Sequence, residues 1–482
     1  MNQYVSTRGG IAPVGFAEAV LKGFAEDGGL FVPTAIPRIS EEQLEAWAAL
    51  SYPDLAFEIL SLFIDSEVIP AEDLKGLIQA SFQDFDHPEI LPLVPLQGEG
   101  GVSVMELFHG PTLSFKDIAM GFLINTMDYL LTRRGGHLNL ILATTGDTGP
   151  AAAYASAGKT SLDCWPLYPE GLITEEQKRQ MTTLSAENVH PVGVTDCPDG
   201  GDDLDLIVAG LFSDAARVRD LGLSSVNSIN WCRVLMQSVQ YVYGYCRVCR
   251  RLGEPLIFSV PSGAFGNLFA GFLAREMGVP IATFICANNR NSALHTAFST
   301  GVFKKQDLIP TVSSAIDIVV PYNFWRFLYY QAGADPEKLA AWMDRFHTEG
   351  EVRLDLETAS ALQSGYASCS VSDAETLSTI RGVWESSGYL LDPHGAVAVA
   401  AARELRNQLH KEAPLLCMTT AHPGKFPEVI ARALGDGGLP PQALHPALQA
   451  AAQRPEKGEV CSLNALESRL IAGLKAAAVH RR

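Results

Sequence analysis

A single lysine opens a helix-like segment in the first quarter of the chain and could act as a nucleophile. The loop 108–115 contains turn-forming residues and ends at Lys116, and the amphipathic segment 118–131 follows. An amine held between a loop and a helix, near the low dielectric of a core, loses its proton more readily and can form an imine. Lys116 is therefore the candidate Schiff-base residue, and a surface lysine at a helix start is the alternative.

Two later segments supply groups that would work with such a lysine. The glycine turn 263–267 follows the apolar strand 256–260 and precedes the helix-like segment 268–276. In this arrangement backbone N–H groups bind phosphate. Thr420 follows the buried-looking strand 415–419, at the carboxyl end where open α/β sheets bind ligands. A reactive lysine, a phosphate-binding turn and a strand-end hydroxyl are the three attachments of pyridoxal phosphate.

Together with further motifs, these segments give a sequence that resembles the threonine synthase family of pyridoxal-phosphate enzymes. The motifs run along nearly the whole chain: YVSTRG at 4–9, DGGLFVP at 27–33, ATTGDTG at 143–149, NSINW at 227–231 and TAHP at 420–423. The resemblance implies an α/β fold of fold type II, as in the tryptophan synthase β-chain. It also implies a carbon–oxygen lyase of amino-acid biosynthesis that converts O-phospho-L-homoserine and water to L-threonine and phosphate.

The resemblance assigns the cofactor contacts. Lys116 would carry the cofactor as an imine and later move the Cα proton. Thr420 would meet the pyridine nitrogen, and a hydroxyl there does not force that nitrogen to be protonated. Main-chain N–H groups of the glycine turn would bind the cofactor phosphate: Gly263, Ala264, Phe265, Gly266 and Asn267.

Substrate contacts are expected from one loop between a strand and a helix start, where N–H groups and hydroxyls converge. Its residues are Thr144, Thr145, Gly146, Asp147 and Thr148. The resemblance places the substrate's α-carboxylate at this loop. The alternative is a capped helix whose threonines satisfy only the backbone.

A second polar segment and a second lysine complete the candidates for substrate binding: Asn227, Ser228, Asn230, Arg233 and Lys425. Arg233 is the candidate for the substrate's γ-phosphate, because its guanidinium fork matches phosphate geometry. The alternative is an ordinary helix cap with an exposed arginine. Lys425 is the second candidate cation.

Four positions differ from the motifs usual in the family. Ala264 stands in place of an asparagine and Gly395 in place of a threonine, while Tyr322 and Trp325 add aromatic surface to a segment that the family keeps polar. If these positions share one pocket, the pocket is roomier and more apolar, unless the aromatics refill the space. One alternative function is therefore a paralogue performing β,γ-elimination or γ/β-replacement on a different or bulkier homoserine-type substrate. The other is a non-catalytic homologue that only binds the cofactor.

The order of elements predicts the architecture. Strands alternate with helices from residue 101 onward, which indicates parallel or mixed sheets with crossover helices. We expect a helical N-terminal region at 1–100, a smaller α/β lobe at 101–240 that carries Lys116, and a larger α/β lobe at 241–482 that carries the phosphate turn and Thr420. The cofactor is expected in the cleft between the two lobes.

Composition narrows the classes of molecule that the protein is expected to bind. The net charge of −18 over 482 residues disfavours nucleic acid and anionic membranes, so a small anionic amino-acid substrate needs a local positive site. Nine scattered cysteines and an N-terminus without a signal-like pattern predict a reduced, cytoplasmic protein. Cys246 and Cys249 lack a second pair, so no metal site is expected. The sequence is compatible with a monomer or a homodimer.

Overall fold

The computed structural model describes residues 2–98, 100–249, 251–410, 413–435 and 438–480. The N-terminal region is mostly helical, and serine side chains cap two of its helices. Ser40 and Ser51 accept hydrogen bonds from the backbone N–H groups of Gln43 and Asp54, which satisfies donors that a helix start leaves unpaired. The elements are β1 Gln3–Ser6, β2 Val14–Gly15, α1 Phe16–Lys22, β3 Phe31–Pro33, α2 Glu41–Trp47, α3 Tyr52–Ser61 and α4 Ala71–Phe82.

The middle of the chain alternates strands and helices, as the hydrophobic pattern predicts. Its elements are β4 Leu93–Pro95, β5 Val102–Glu106, α5 Lys116–Arg134, β6 Leu138–Ala143, α6 Thr148–Ser156, β7 Leu162–Pro169, α7 Glu175–Thr182, β8 Val192–Thr195, α8 Gly201–Phe212, α9 Ala215–Leu221, β9 Leu223–Ser224 and α10 Trp231–Val248. The segment after β8 forms two helices, because Asp214 caps a new helix start at Ala215.

The last part of the chain continues the alternation with more helices. Its elements are β10 Leu256–Pro261, α11 Gly266–Glu276, β11 Ile281–Asn288, α12 Ala293–Thr300, β12 Val302–Lys304, α13 Tyr322–Gln331, α14 Pro336–Glu349, β13 Glu351–Arg353, α15 Leu356–Gln363, β14 Tyr366–Ser370, α16 Asp373–Ser387, α17 Pro393–Leu405, β15 Leu415–Thr419, α18 Pro427–Leu434, α19 Pro446–Ala452, β16 Glu459–Ser462 and α20 Leu463–His480. None of the described helices is long and apolar enough to cross a membrane.

Two sheets organise the α/β part of the molecule. The six-stranded sheet has the order β14-β11-β10-β15-β5-β4, and all of its pairs are parallel except β4 with β5. The five-stranded sheet has the order β16-β8-β7-β6-β9 and is parallel throughout. The structure thus confirms the α/β class with parallel and mixed sheets.

Membership of the two sheets does not follow the predicted lobe limits. Strand β5 falls inside the range 101–240 but pairs with β15 of the six-stranded sheet, from Val102 opposite Leu415 onward. Strand β16 falls inside 241–482 but extends the five-stranded sheet by pairing with β8. The order of elements along the chain cannot show these pairings, because each joins segments more than 250 residues apart.

Helix α10 lies in the largest hydrophobic cluster and is buried on all sides over its first four turns. Such a helix belongs to the interior of a protein, not to its surface. The polar side chains Arg233 and Gln237 on α10 are therefore buried as well. Both side chains line a cleft between the two sheets.

Candidate active site

A cleft that is open to solvent brings together most of the predicted site residues. Its walls include the residues that follow β6, β8, β10 and β15, so the carboxyl ends of strands from both sheets meet there. This is the edge at which parallel α/β sheets bind ligands.

Lys116 is the first residue of α5 and lies in this cleft. In the part of the chain that the structure describes, its Nζ has no hydrogen-bond or ion-pair partner, and it lies 4.3 Å from the centroid of the Phe115 ring. Burial lowers the pKa of Lys116 to about 7, helped by the positive Arg233 and Lys425 and opposed by Asp147. The amine is therefore substantially unprotonated near neutral pH, as a nucleophile requires.

Backbone hydrogen bonds fix the loop before Lys116 against the segment of Thr420. The N–H of Phe115 donates to the carbonyl of Thr420 at 2.8 Å, and the N–H of His422 donates to the carbonyl of Leu113 at 3.0 Å. The Asp117 carboxylate accepts from the N–H and the hydroxyl of Thr112 at 2.9 and 2.6 Å. Lys116 and Thr420 thus enter the cleft from two segments that are held together.

The glycine turn forms a cradle at the start of α11. A Cβ atom on Gly263 would come within 2.9 Å of Ile316 Cα, so this position requires glycine. Phe265 has φ of +64° directly before the first helical residue, and such a left-handed residue turns successive N–H groups toward one point. The Asn267 side chain is engaged elsewhere, since its Oδ1 accepts from the Tyr241 hydroxyl at 3.0 Å. Backbone N–H groups and the helix dipole are therefore the groups that this turn has available for a phosphate.

The loop before α6 serves both the backbone and the cleft. Thr144 Oγ1 accepts from the N–H groups of Gly146 and Gly149 at 3.1 and 2.9 Å, so this hydroxyl satisfies the backbone as the alternative interpretation expected. Thr145 and Thr148 line the cleft beside the start of α6. Gly146 does not line the cleft, and a Cβ atom at this position would point into the Gln177 side chain.

Lys425 and Asn230 also lie outside the cleft lining. Lys425 is 0% exposed, and its Nζ lies 2.7 Å from Asp147 Oδ1 and donates to the Thr112 carbonyl at 2.9 Å. Burial alone would raise the pKa of Asp147, but the positive charge of Lys425 outweighs this effect. The pKa of the carboxyl is therefore lower than usual. Asn230 caps α10 and donates to the carbonyl of Val20. Both side chains hold the site together instead of facing a substrate.

Arg233 is a buried cation with unused donors in the cleft. It is 0% exposed, and its Nη1 donates to the Val226 carbonyl at 3.1 Å. Its Nε and Nη2 have no partner among the described residues. Burial lowers the pKa of Arg233 to about 10, so the guanidinium stays charged at neutral pH. A buried cation with unpartnered N–H groups fits an anionic ligand.

The four departures from the family motifs do not share one pocket. Ala264 and Tyr322 line the cleft, whereas Trp325 is 2% exposed and packs on Phe303 and Phe346 in the core. Gly395 also lies outside the cleft lining. Of the two small residues expected to enlarge the pocket, only Ala264 therefore lines the cleft.

The crowding at Gly395 gives a stability prediction. A Cβ atom there would lie 2.7 Å from both Asp392 Oδ2 and Thr419 Cγ2. Gly395→Ala should lower the free energy of unfolding by about 1–3 kcal/mol, measured by urea denaturation. Gly382→Ala is the matched control, because its Cβ would meet only Arg403 Nη1 at 4.0 Å, and it should be neutral or stabilising by about 0.5–1 kcal/mol. Equal effects of the two substitutions would contradict the crowding.

The cleft-lining residues that sequence reasoning missed include four with titratable or amide side chains: Asp202, Asp205, Gln237 and His394. Asp202 and Asp205 lie in α8, the helix that follows the parallel strand β8 after a short loop. Acidic residues at the start of a helix that follows a parallel strand were the available signal. His394 lies beside Gly395, where Asp392 Oδ1 is 2.9 Å from its Nδ1 and its Nε2 accepts from the N–H of Ala315 at 3.1 Å.

The residues of the cleft fit pyridoxal phosphate. A lysine amine without a partner among the described residues, a turn that requires glycine before a helix and a strand-end threonine face one cavity. Together with the two sheets, they define a pyridoxal-phosphate-dependent enzyme of fold type II. Three family models match the chain: "Threonine synthase N terminus" over residues 3–82, "Pyridoxal-phosphate dependent enzyme" over 88–369 and "Threonine synthase, C-terminal" over 395–469. The chain belongs to the threonine synthase family.

Known proteins support this assignment over most of their length. Threonine synthase of Schizosaccharomyces pombe is 39% identical over 462 residues, which cover 89% of each chain. Threonine synthase-like 2 of Xenopus laevis is 39% identical and covers 89% of this chain and 90% of its own. A crystal structure of threonine synthase from Brucella melitensis with pyridoxal phosphate bound superposes with a TM-score of 0.89 at 36% identity, covering 97% of this chain and 98% of that one.

Proposed function

We propose that this protein is a carbon–oxygen lyase that converts O-phospho-L-homoserine and water to L-threonine and phosphate. The observation that carries the proposal is that one cleft holds both a lysine whose pKa burial lowers to about 7 and a buried guanidinium whose Nε and Nη2 have no partner among the described residues. The Lys116 amine can react with a carbonyl group and can accept or donate a proton. The Arg233 guanidinium can bind the phosphate of the substrate. The family relationship agrees with this pairing.

The residues of the cleft divide the work of binding. Backbone N–H groups of residues 263–267 would hold the cofactor phosphate at the start of α11, and the Thr420 hydroxyl would meet the ring nitrogen. The start of α6, with Thr145 and Thr148, receives the substrate's α-carboxylate. Asn227 and Ser228 line the same cleft and contribute polar groups toward the substrate.

Lys116 is the residue that transfers the Cα proton. Pyridoxal phosphate, when bound, supplies an electron sink that makes the Cα–H of an attached amino acid acidic. Lys116 then takes the Cα proton, because burial lowers its pKa to about 7 and leaves a large share of the amine neutral near pH 7. A Cβ proton is lost as the bond from Cγ to phosphate breaks, and water then adds at Cβ. Arg233 holds the phosphate while this bond breaks and balances the negative charge of the leaving group.

The proposed reaction is tested by incubating the pyridoxal-phosphate-loaded protein with O-phosphohomoserine. Phosphate and threonine should appear in equal amounts, each measured against time, without 2-oxobutyrate. Formation of 2-oxobutyrate in place of threonine would show an elimination without addition of water. Absence of both products would overturn the proposed substrate.

Thr420 provides a prediction about the cofactor. A neutral hydrogen bond from its hydroxyl to the ring nitrogen contributes about 1 kcal/mol. Thr420→Ala should therefore weaken cofactor binding about fivefold and slow Cα-proton exchange, while Thr420→Ser should largely preserve both. Titration of the apoprotein with pyridoxal phosphate, followed by absorbance, measures the affinity. Equal losses in the two variants would assign the requirement to the methyl group and not to the hydroxyl.

A further inference from the structure

Gln237 is a buried polar side chain of the cleft that has no role in the reaction as proposed so far. It lies in α10, is 2% exposed and lines the cleft. Its Oε1 atom has no hydrogen-bond partner among the described residues. Because a buried amide oxygen without a partner is unfavourable, this atom calls for a ligand that donates a hydrogen bond.

The position of Gln237 along α10 indicates which ligand that is. Arg233 lies four residues earlier, and side chains at this spacing lie on the same face of a helix. Gln240 lies three residues later, and its Nε2 donates to Oδ1 of Asn267 in the phosphate turn. The helix rises about 10 Å from Arg233 to Gln240. Gln237 therefore lies between the cation proposed for the substrate's phosphate and the turn proposed for the cofactor phosphate.

The phosphate groups proposed on either side cannot satisfy the Gln237 oxygen. Their oxygen atoms accept hydrogen bonds, and an amide oxygen also only accepts. Arg233 has free donors at Nε and Nη2, but no hydrogen bond joins them to Gln237 in the part of the chain that the structure describes. A water molecule can accept a hydrogen bond from such a cation and donate one to an amide oxygen. Water is also the second substrate of the proposed reaction.

We propose that the Gln237 Oε1 atom accepts a hydrogen bond from the water molecule that adds to Cβ and holds this water in position for the addition. The inference rests on the proposed function, because it assigns a residue to the second substrate of that reaction. The side chain amide only orients the water and takes up no proton. An acceptor that fixes the nucleophile close to the carbon that it attacks favours addition over release of the dehydrated chain.

The atoms of the addition step balance without a further reactant. Once phosphate has left, and Cγ has taken up one of the two protons removed from Cα and Cβ, a double bond joins Cα and Cβ. The other removed proton leaves with the phosphate. The water oxygen then forms a bond to Cβ, and the electron pair of the double bond moves to Cα. Water keeps one proton in the new hydroxyl group and gives the other to the neutral Lys116 amine, which returns it to Cα.

The test compares the amounts of phosphate and threonine that the pyridoxal-phosphate-loaded protein forms from O-phosphohomoserine. Gln237→Met keeps the length of the side chain and removes the amide. Phosphate release should stay within about threefold of the native rate, because Arg233 and Lys116 are retained. Threonine per phosphate should fall at least fivefold, and 2-oxobutyrate with ammonia should account for the rest, since the dehydrated chain hydrolyses after release.

Gln240→Met is the matched control. Gln240 is 0% exposed in the same helix, and its Oε1 atom is also unpartnered among the described residues, but it lies outside the cleft lining. This variant should form one threonine per phosphate even if its stability is lower. Gln237→Asn keeps the amide but shortens the side chain by one methylene group. It should also lower the ratio, and it tests the proposal if Gln237→Met does not fold.

One threonine per phosphate in the Gln237 variants that bind the cofactor would overturn the inference. A raised KM for O-phosphohomoserine at an unchanged ratio would likewise overturn it, because Gln237 would then bind the substrate's phosphate and not the water. The native protein in the same assay reports the proposed reaction. If the native protein forms no threonine, the proposed function is wrong, whereas an unchanged ratio in the variants of a threonine-forming protein contradicts only the role of Gln237.

Discussion

Lys116→Ala should lower threonine formation from O-phosphohomoserine at least about 10³-fold. The substitution removes both the amine that attaches the cofactor and the base that moves the Cα proton, and each role is worth several orders of magnitude in rate. Steady-state turnover with excess pyridoxal phosphate measures the loss. Lys75→Ala is the control, since Lys75 is an exposed residue of α4 that pairs with Glu72 and lies over the Phe57 ring, and the variant should retain native turnover.

The covalent attachment has its own measurement. Borohydride reduction of the loaded protein, followed by peptide mapping, should place the label on Lys116, and a label on another lysine would contradict the assignment. The low pKa also predicts the pH dependence of loading. The amine is protonated below about pH 7 and neutral above it, so the rate at which the apoprotein forms the imine should rise between pH 6 and 8 and then level. A rate that still rises tenfold per unit at pH 9 would indicate a lysine of ordinary pKa.

Lys425→Met should destabilise the protein by about 3–5 kcal/mol, because it leaves the Asp147 carboxylate buried without its cation. Urea denaturation of the apoprotein measures the free energy of unfolding. Asp147→Asn combined with Lys425→Met removes both charges and should recover most of the loss. A double variant as unstable as Lys425→Met would mean that the charge of Asp147 is not the cause.

The exposed ion pair between Lys338 and Asp355 provides the comparison for this buried one. Its Nζ and Oδ2 atoms are also 2.7 Å apart, but the two side chains are 30% and 42% exposed. Lys338→Met should change the free energy of unfolding by less than about 1 kcal/mol, because water screens the charges. The two pairs have the same distance, so a difference in their effects reports burial.

The sequence by itself determined the parts of the site that depend on local pattern. The phosphate turn lies between an apolar strand and a helix, Lys116 opens a helix and Thr420 follows a strand, and each of these junctions is visible within about 15 residues. Parallel strands place their carboxyl ends at one edge, so such junctions converge without knowledge of the strand order. The alternation of strands and helices also determined the α/β class with its parallel sheets.

Only the tertiary structure decided which predicted residues face the cleft. Lys425 has the same chemistry as a substrate-binding cation, but Asp147, which lies 278 residues earlier, neutralises it in the interior. Gly395 and Trp325 fall in motifs near the site, yet the backbone directs them into packed regions. Asp202 and Asp205 enter the cleft because α8 packs beside it. Residues within a motif share a segment, whereas their partners come from strands and helices hundreds of residues away, and only folding brings those together.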